Sequence, residues 1–257
     1  MPLINPHGLR DNSPRVTSIG QVKKLLIELN SKKATGTDNI SAWTLKRFAE
    51  ELAVLVHDII CASIIERNYP TLYKHVLVSP VPYVHPPNDL ETNFRKISVL
   101  PVLGRVLEKV QIMLDKDAFR VKENKHAFIY GRSTVSALVN ITQTCLNDSD
   151  NTTEGEKAIH SLFIDFSKAF AQVDHSLLLS KLKGRNINKS LWQWIQSFLQ
   201  GRTQQVKLPG VLSTTRTCLA CVPQGCLILV QSNCGLISKD TPFLTPFKPG
   251  LQTPNRF

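Results

Sequence analysis

The chain has 257 residues, 42% of them hydrophobic, and a formal net charge of +11 at pH 7. It is long enough to bury one sizeable core. Its basic surplus favours polyanionic partners, because Lys and Arg that neutralise phosphates release condensed counterions; a merely solvated basic surface is the alternative. No segment reaches the roughly 18 apolar residues of a spanning helix. The first residues do not resemble a signal peptide, so we predict an intracellular protein, cytoplasmic or nuclear, without a membrane.

The N-terminal third predicts helices on either side of a basic loop. Ser18 and Gln21 form a capping-box pair, and apolar residues then recur with helical spacing over residues 22–29. The glycine-containing loop SKKATGTD follows at residues 31–38. Residues 41–68 predict one or two further helices, with the following residues on one side: Leu52, Leu55, Val56, Ile59 and Ile60.

The middle of the chain combines a strand with two helices. Residues 76–84 form a proline-bounded strand pattern, and the turn 85–88 follows. Pro101 is placed to begin a helix, and Ser133 is placed to cap another that ends before a polar loop at 147–157. The apolar stripes of these two helices are Leu103, Val106, Leu107, Val110 and Leu114 in the first, and Val135, Leu138, Val139 and Leu146 in the second.

The C-terminal half also alternates helical and strand patterns. Residues 176–183 and 190–200 predict helices, and residues 203–208 and 211–217 predict a hairpin around Pro209-Gly210. Because the helices and strands do not alternate as regular βαβ units, the predicted class is α+β.

Four of the six cysteines allow a metal-site hypothesis. Cys218, Cys221, Cys226 and Cys234 form C-x2-C-x4-C-x7-C, and thiolate quartets can hold structural zinc. The spacing fits no common zinc site, and reduced unpaired thiols are the alternative in an intracellular protein.

The short apolar run from Ile159 to Ile164 ends at Asp165. A buried strand can deliver a carboxylate to its exposed end in this way, where the carboxylate can bind a metal. Phe170 follows five residues later and could line a substrate pocket beside it. Taken alone, an Asp after an apolar run is more often a cap or turn residue.

Six segments in collinear order resemble motifs of the reverse transcriptases of non-LTR retrotransposons. The stretch FIDFSKAFAQVDH, which contains Asp165, resembles the family's first catalytic motif, F-x-D-F-S-K-A-F-D-x-V-D-H. The other five are KATGTD at 33–38, NFRKISVLP at 93–101, GRST at 131–134, FLQGRTQ at 198–204 and VPQG at 222–225. Each tetrapeptide is a weak signal, whereas their common order over residues 16–226 is a strong one.

This resemblance implies a fold and an activity. The expected fold is the right-hand polymerase, with fingers and part of the palm. The implied activity is RNA-templated DNA synthesis from deoxynucleoside triphosphates, with an RNA template and a DNA primer as partners. Polymerases neutralise the charge of the reacting phosphate with two Mg²⁺ ions roughly 3.5–4 Å apart, and hard oxygen ligands suit Mg²⁺.

The resemblance also implies roles for residues at the matching positions. Asp165 and the main-chain carbonyl of Phe166 match metal ligands, and Phe170 matches the aromatic residue beneath the sugar. Arg95 matches a residue that contacts the triphosphate, and Gln224 matches one near the incoming nucleotide. Without the resemblance, core packing for Phe170, a solvated charge for Arg95 and a turn for Gln224 are the simpler interpretations.

Three basic residues in the matched segments are predicted to contact nucleic acid. They are Lys32, Lys33 and Arg132. Phosphate contacts of this kind position a strand but carry no sequence information.

The sequence also departs from the family pattern. Ala171 stands where the family usually has Asp, Lys96 replaces a Pro, and Cys221 and Cys226 replace a Gly and a Ser. The family's F/Y-x-D-D motif does not follow VPQG, and no Asp-Asp pair occurs among the 257 residues. We therefore expect a truncated domain whose thumb is absent.

The predicted organisation has three parts: an N-terminal flank at 1–15, a partial reverse transcriptase domain at 16–226, and an unrelated, disordered tail at 227–257. Two functional hypotheses remain. The chain is a reverse transcriptase, active or working with a partner chain, or it is a catalytically dead remnant that only binds nucleic acid non-specifically.

Overall fold

The computed structural model describes most of the chain between residues 16 and 226. The described residues are 16–82, 84–89, 93–115, 118, 125–127, 129, 131–150, 163, 173–184, 187–218, 223 and 226. The N-terminal flank, the tail and the strand predicted at 159–164, apart from the exposed Phe163, lie outside them.

Helices make up about half of the described residues. Their bounds are α1 Ile19–Ile27, α2 Ala42–Arg47, α3 Ala49–Ile65, α4 Val102–Leu114, α5 Thr134–Asp150, α6 His175–Lys183 and α7 Lys189–Leu199. A short 3₁₀ helix, Thr71–Lys74, follows α3. None of the helices in the described ranges is both long and apolar enough to cross a membrane.

Helix starts follow the capping residues in the sequence. The Ser18 side chain accepts a hydrogen bond from the Gln21 backbone, and the Gln21 side chain accepts one from the Ser18 backbone, so the predicted capping box of α1 is confirmed. At α5, the predicted cap is also present, because the Ser133 hydroxyl accepts a 3.3 Å hydrogen bond from the Ser136 backbone. That helix continues to Asp150 and so includes the first four residues of the polar loop predicted at 147–157.

The strands form one mixed sheet in the described region. The strands are β1 His75–Pro82, β2 Phe94–Val99, β3 Thr203–Leu208, β4 Val211–Leu212 and β5 Arg216–Thr217. Their order is β2-β1-β3-β4, and β5 also pairs with β3. β1 runs parallel to β3 and antiparallel to β2. The mixed α and β architecture expected from the sequence is confirmed.

The predicted hairpin at 203–217 is interrupted. β3 and β4 pair around Pro209-Gly210 as expected, and Gly210 has a positive φ of 75°. Beyond Leu212 the Ser213 hydroxyl accepts a 2.9 Å hydrogen bond from the Val206 backbone. The Ser213 hydroxyl thereby takes the hydrogen bond of the Val206 backbone N–H that a strand partner's carbonyl would otherwise accept. Regular pairing with β3 resumes only at β5.

One hydrophobic core joins the helices to one face of the sheet. Val76 of β1 is buried in this core, and Val78, two residues further along the strand, is also buried. At the centre, the ring of Tyr69 packs edge-on against Trp194 and Phe198 of α7, with centroids 5.3 Å and 4.9 Å away. The indole nitrogen of Trp194 donates a 3.0 Å hydrogen bond to the Ser63 hydroxyl. These contacts tie α3 to a helix more than a hundred residues later.

The predicted apolar side of α3 is partly wrong. Val56 and Ile60 are buried, and Leu52 packs against the core. Leu55, in contrast, is 58% exposed. The buried positions of this helix include small residues, Ala49 and Ala53. The stripe that packs therefore runs through Ala49, Ala53, Val56 and Ile60 and leaves Leu55 outside it.

Candidate active site

The basic loop between α1 and α2 presents two lysines to solvent. Lys32 and Lys33 are both exposed. The backbone of Lys32 donates a 3.0 Å hydrogen bond to the side-chain oxygen of Asn30, and the backbone of Lys33 donates a 3.2 Å bond to the Asn30 carbonyl. This Asx turn orders the loop without using either ammonium group, so both charges are available to an anionic ligand.

The same loop lies directly on the start of α4. A Cβ atom built on Gly36 would stand 2.5 Å from the Cα of Pro101, closer than real Cβ contacts. Only glycine permits this approach of two backbones. The structure thus brings together two segments, residues 33–38 and 93–101, that the sequence analysis singled out separately.

Of the two residues after Gly36, Thr37 anchors the loop to the sheet, and Asp38 stabilises the end of the loop and acts electrostatically on α4. The Thr37 hydroxyl donates a 3.2 Å hydrogen bond to the His75 carbonyl at the start of β1. One Asp38 oxygen accepts a 3.2 Å bond from the Ile40 backbone, and the other is buried without a hydrogen-bond partner in the described structure. Burial lowers the pKa of Arg105 on α4, and the carboxylates of Glu108 and Asp38 oppose that change.

Arg95 lies on strand β2, which the sequence analysis did not predict. Its side chain is exposed, and its backbone stands opposite Val81 of β1. The strand leads within a few residues to Leu100 and Pro101, against which the Gly36 loop packs. The structure therefore places Arg95 on a rigid sheet that is continuous with the loop contact.

Arg132 differs from the lysines because it is half-buried. One of its guanidinium nitrogens donates a hydrogen bond to the Lys125 carbonyl. The preceding Gly131 has a positive φ of 77°. Arg132 thus stabilises the turn before α5, a structural role that the sequence analysis did not assign.

The remaining predicted site residues, Asp165, Phe166, Phe170 and Gln224, lie outside the described residues. Their neighbours are described in part. Asp174 caps α6 with a 2.9 Å hydrogen bond from the Leu177 backbone. Pro223 and Cys226, on either side of Gln224, are buried, and the Cys226 backbone donates a 3.1 Å hydrogen bond to the Pro223 carbonyl.

A buried polar cluster was missed by the sequence analysis. Arg202, in the FLQGRTQ segment, is 1% exposed, and its guanidinium lies 4.6 Å from the ring centroid of Phe198. It donates a 3.2 Å hydrogen bond to the Phe198 carbonyl at the end of α7. Tyr69 has a raised pKa, first because it is buried and then because Glu108 lies near it. An Arg beside Gly201, at a helix end, was the available signal.

The zinc hypothesis is tested only in part. Among the described residues, no group of three His, Cys, Asp or Glu side chains could hold a metal ion. Cys218 is half-buried and Cys226 is buried, whereas Cys221 and Cys234 lie outside the description.

Comparison with known proteins identifies the family. Residues 85–228 match the family described as "Reverse transcriptase (RNA-dependent DNA polymerase)". The match covers more than half of the chain, and the chain belongs to this family. Its type is that of the non-LTR retrotransposons, as the six motifs predicted.

Three Drosophila proteins that are named as RNA-directed DNA polymerases of mobile elements are similar to most of this chain. The probable RNA-directed DNA polymerase from transposon X-element of Drosophila melanogaster is 28% identical over 227 residues, which are 86% of this chain and 24% of that protein. The RNA-directed DNA polymerase from mobile element jockey is 27% identical over 235 residues in Drosophila melanogaster, covering 89% of this chain and 25% of the relative. The Drosophila funebris jockey enzyme is 26% identical, covering 82% and 23%. The chain spans about a quarter of the length of these relatives.

Proposed function

We propose that this chain is the fingers and part of the palm of an RNA-directed DNA polymerase from a non-LTR retrotransposon. The family membership carries the proposal. The close contact of Gly36 with Pro101 supports it, because the contact joins two of the motifs into one surface. The substrates are an RNA template, a DNA primer and deoxynucleoside triphosphates.

Asp165 and the carbonyl of Phe166 would hold Mg²⁺, which neutralises charge on the reacting phosphate when it is bound. Arg95 contacts the triphosphate, Phe170 packs beneath the sugar, and Gln224 lies near the incoming nucleotide. The exposed side chain of Arg95 and the rigid strand that carries it support the first of these roles.

Lys32, Lys33 and Arg132 bind the nucleic-acid backbone in this proposal. The two lysines suit the role best, since the loop is ordered without their ammonium groups. Arg132 donates a hydrogen bond to the Lys125 carbonyl, so a contact with nucleic acid would be made by a partly fixed side chain.

We infer that the 257-residue chain by itself does not extend a primer. The family shares its metal ions between the first Asp and an Asp-Asp pair, and no such pair occurs in these residues. One carboxylate and one carbonyl hold two divalent ions poorly, because Mg²⁺ gives up its water reluctantly. Removing a single electrostatic stabiliser typically costs about 10²–10³ in rate.

Primer extension on an RNA template tests both parts of the proposal. The chain alone should give no product with Mg²⁺ or Mn²⁺. A chimera that replaces the residues after Gly225 with a family palm hairpin and thumb should extend the primer, and Asp165→Asn in the chimera should abolish extension. Extension by the unmodified chain that Asp165→Asn removes would contradict the inference of inactivity. A folded chimera that fails would place the defect upstream, for example at Ala171.

A second candidate function is binding of nucleic acid without catalysis. The net charge of +11 favours it, because counterion release drives binding to any polyanion. The chimera experiment distinguishes the two candidates. A polymerase domain retains a competent Asp165 site, so its chimera extends the primer, whereas a chain that only binds nucleic acid need not retain such a site.

A further inference from the structure

Helices α1 and α3 form an antiparallel pair at the surface. The His57 ring on α3 lies 3.2 Å from the Thr17 carbonyl before α1, Lys23 pairs with Glu50, and the Lys46 ammonium donates to the Leu29 carbonyl beyond α1. Residues progressively later in α1 therefore contact residues progressively earlier in α3 and then in α2, to which Lys46 belongs, so α1 runs antiparallel to both. The exposed Lys23–Glu50 ion pair marks the groove between the two helices on their outward side.

This outward side is apolar on both helices. Ile19 and Ile27 stand one turn before and one turn after Lys23 on α1, and both are exposed. Val54 stands one turn after Glu50 on α3, and Leu55 projects from the side of α3 away from the buried Ala53 and Ile60; both are more than half exposed. An apolar patch of this kind on two rigid helices marks an interaction surface. We call these four residues and the Lys23–Glu50 pair the α1–α3 face.

The two halves of the α1–α3 face carry opposite charge. Helix α1 contains Lys23 and Lys24 and no acidic residue. Helix α3 contains Glu50, Glu51 and Asp58 and neither Lys nor Arg. In a chain with a net charge of +11, an acidic helix is unsuited to nucleic acid, because it repels phosphates. A protein surface with the opposite arrangement of charge suits the face.

A second copy of the chain provides that arrangement, and we propose that the α1–α3 face is the contact of a two-fold symmetric dimer. A two-fold axis that lies in the contact and runs along the groove sets α1 of each copy on α3 of the other. The lysines then face the carboxylates, and the apolar residues meet between them. An axis across the helices would set like charges against each other, so the charges select the first arrangement.

The size of the face sets the strength of the dimer. With a rise of 1.5 Å per residue, α1 and α3 are about 14 and 25 Å long, and packed helices lie about 8–10 Å apart. The contact then covers roughly 400 Å² on each copy, about half of what a standard specific interface buries. We expect a reversible dimer with a dissociation constant on the order of 10 µM.

Sedimentation equilibrium of the full chain, over concentrations that bracket this value, tests the proposal with two matched variants. Leu55→Glu places a charge on the α1–α3 face. Leu138→Glu places the same charge on α5 at a leucine of nearly equal exposure, 60% against 58%. Leu55→Glu should weaken the dimer roughly 30-fold or more, and Leu138→Glu should leave it unchanged. A monomer at every concentration, or an oligomer that survives Leu55→Glu or is lost in both variants, overturns the proposal.

A charge exchange separates a specific contact from damage to the fold. Lys24→Glu and Glu51→Lys should each weaken the dimer, because each sets like charges opposite one another. The double variant restores opposite charges with reversed polarity, so it should recover most of the lost affinity. Circular dichroism verifies that each variant keeps its helices. If the double variant associates no better than the singles, the two-fold arrangement is wrong.

Discussion

Gly36 shows how a single residue joins distant segments. Its hydrogen atom is all that separates the loop at 31–38 from the backbone of Pro101, since a Cβ there would lie 2.5 Å from the Pro101 Cα. We expect Gly36→Ala to destabilise the fold by about 1–3 kcal/mol, because neither backbone can yield without losing other contacts. The midpoint of urea unfolding measures this change.

Gly20→Ala is the matched control for that substitution. Gly20 lies in the first turn of α1, and no heavy atom lies within 4 Å of a Cβ built there. The same substitution should therefore stabilise the chain by up to about 1 kcal/mol through helix propensity. Equal effects of the two alanines on unfolding would mean that the Gly36 contact has no energetic consequence.

Asp174, the N-terminal capping residue of α6, determines how this helix should respond to acid. A hydrogen bond from the Ser176 hydroxyl, followed by one from the Leu177 backbone, holds the pKa of this carboxyl below its ordinary value. A lowered pKa in the folded state stabilises the fold above the unfolded-state pKa of about 4. The stabilisation is lost as the pH falls through the lower, folded-state pKa.

We therefore expect an NMR titration to give Asp174 a pKa below that of an exposed Asp in the unfolded chain. Asp174→Asn keeps a capping side chain but cannot titrate. The acid-induced loss of α6 protection from hydrogen exchange should be smaller in this variant. An ordinary pKa for Asp174 would show that the cap does not form in solution.

At the scale of elements, helix α3 carries some hydrophobic residues that pack in the core and others that remain exposed. Ile60 is 2% exposed and belongs to the core, so Ile60→Ala should lower the free energy of unfolding by about 2–5 kcal/mol. Leu55→Ala should change it by less than about 0.5 kcal/mol. Both are measured below the dimer dissociation constant, so that the α1–α3 face does not contribute.

If Leu55→Ala lowered the free energy of unfolding more than Ile60→Ala, the result would contradict the observed orientation of α3, in which Ile60 is buried and Leu55 is exposed. Leu55 would then be a core residue, as the stripe in the sequence suggested. The helix α5 makes a related point, because its apolar residues Val135, Leu138 and Val139 are also exposed. Helical spacing predicted both helices correctly and did not by itself identify the side that packs.

For the whole molecule, the charge predicts salt-sensitive binding of RNA and DNA with little sequence preference. Each lysine that contacts a phosphate contributes about one unit to the slope of log affinity against log salt. Replacing Lys32 and Lys33 with Gln should reduce that slope by about two and weaken binding to all sequences alike. Filter binding at several salt concentrations measures both effects.

Lys109→Gln is the control for nucleic-acid binding. It removes the same charge from a lysine that pairs with Glu28 at 3.5 Å, so its effect on the slope should be smaller than that of either loop lysine. Affinity that does not change with salt, or an equal effect of all three lysines, would show that the loop is not the contact.

The sequence alone determined the family, the mixed α and β class and the positions of most elements. Local signals were sufficient for these, because caps such as Ser18 and breakers such as Pro209-Gly210 act within a few residues. The order of six motifs identified a reverse transcriptase, and the family match confirmed it. The proposed metal and nucleotide residues, including Asp165, rest on that resemblance.

Tertiary structure decided which residues meet. The strand β2 contains two consecutive charged residues, Arg95 and Lys96, and no regular alternation, so only its pairing with β1 makes it a strand. The position of Arg202 beside Gly201, at a helix end, is only a weak signal in the sequence, yet the residue is buried against Phe198 and Tyr69. The approach of Gly36 to Pro101 and the side-by-side packing of basic α1 with acidic α3 likewise join segments that are far apart in the chain. Such contacts depend on how the segments pack against each other in three dimensions, and no pattern within one segment contains that information.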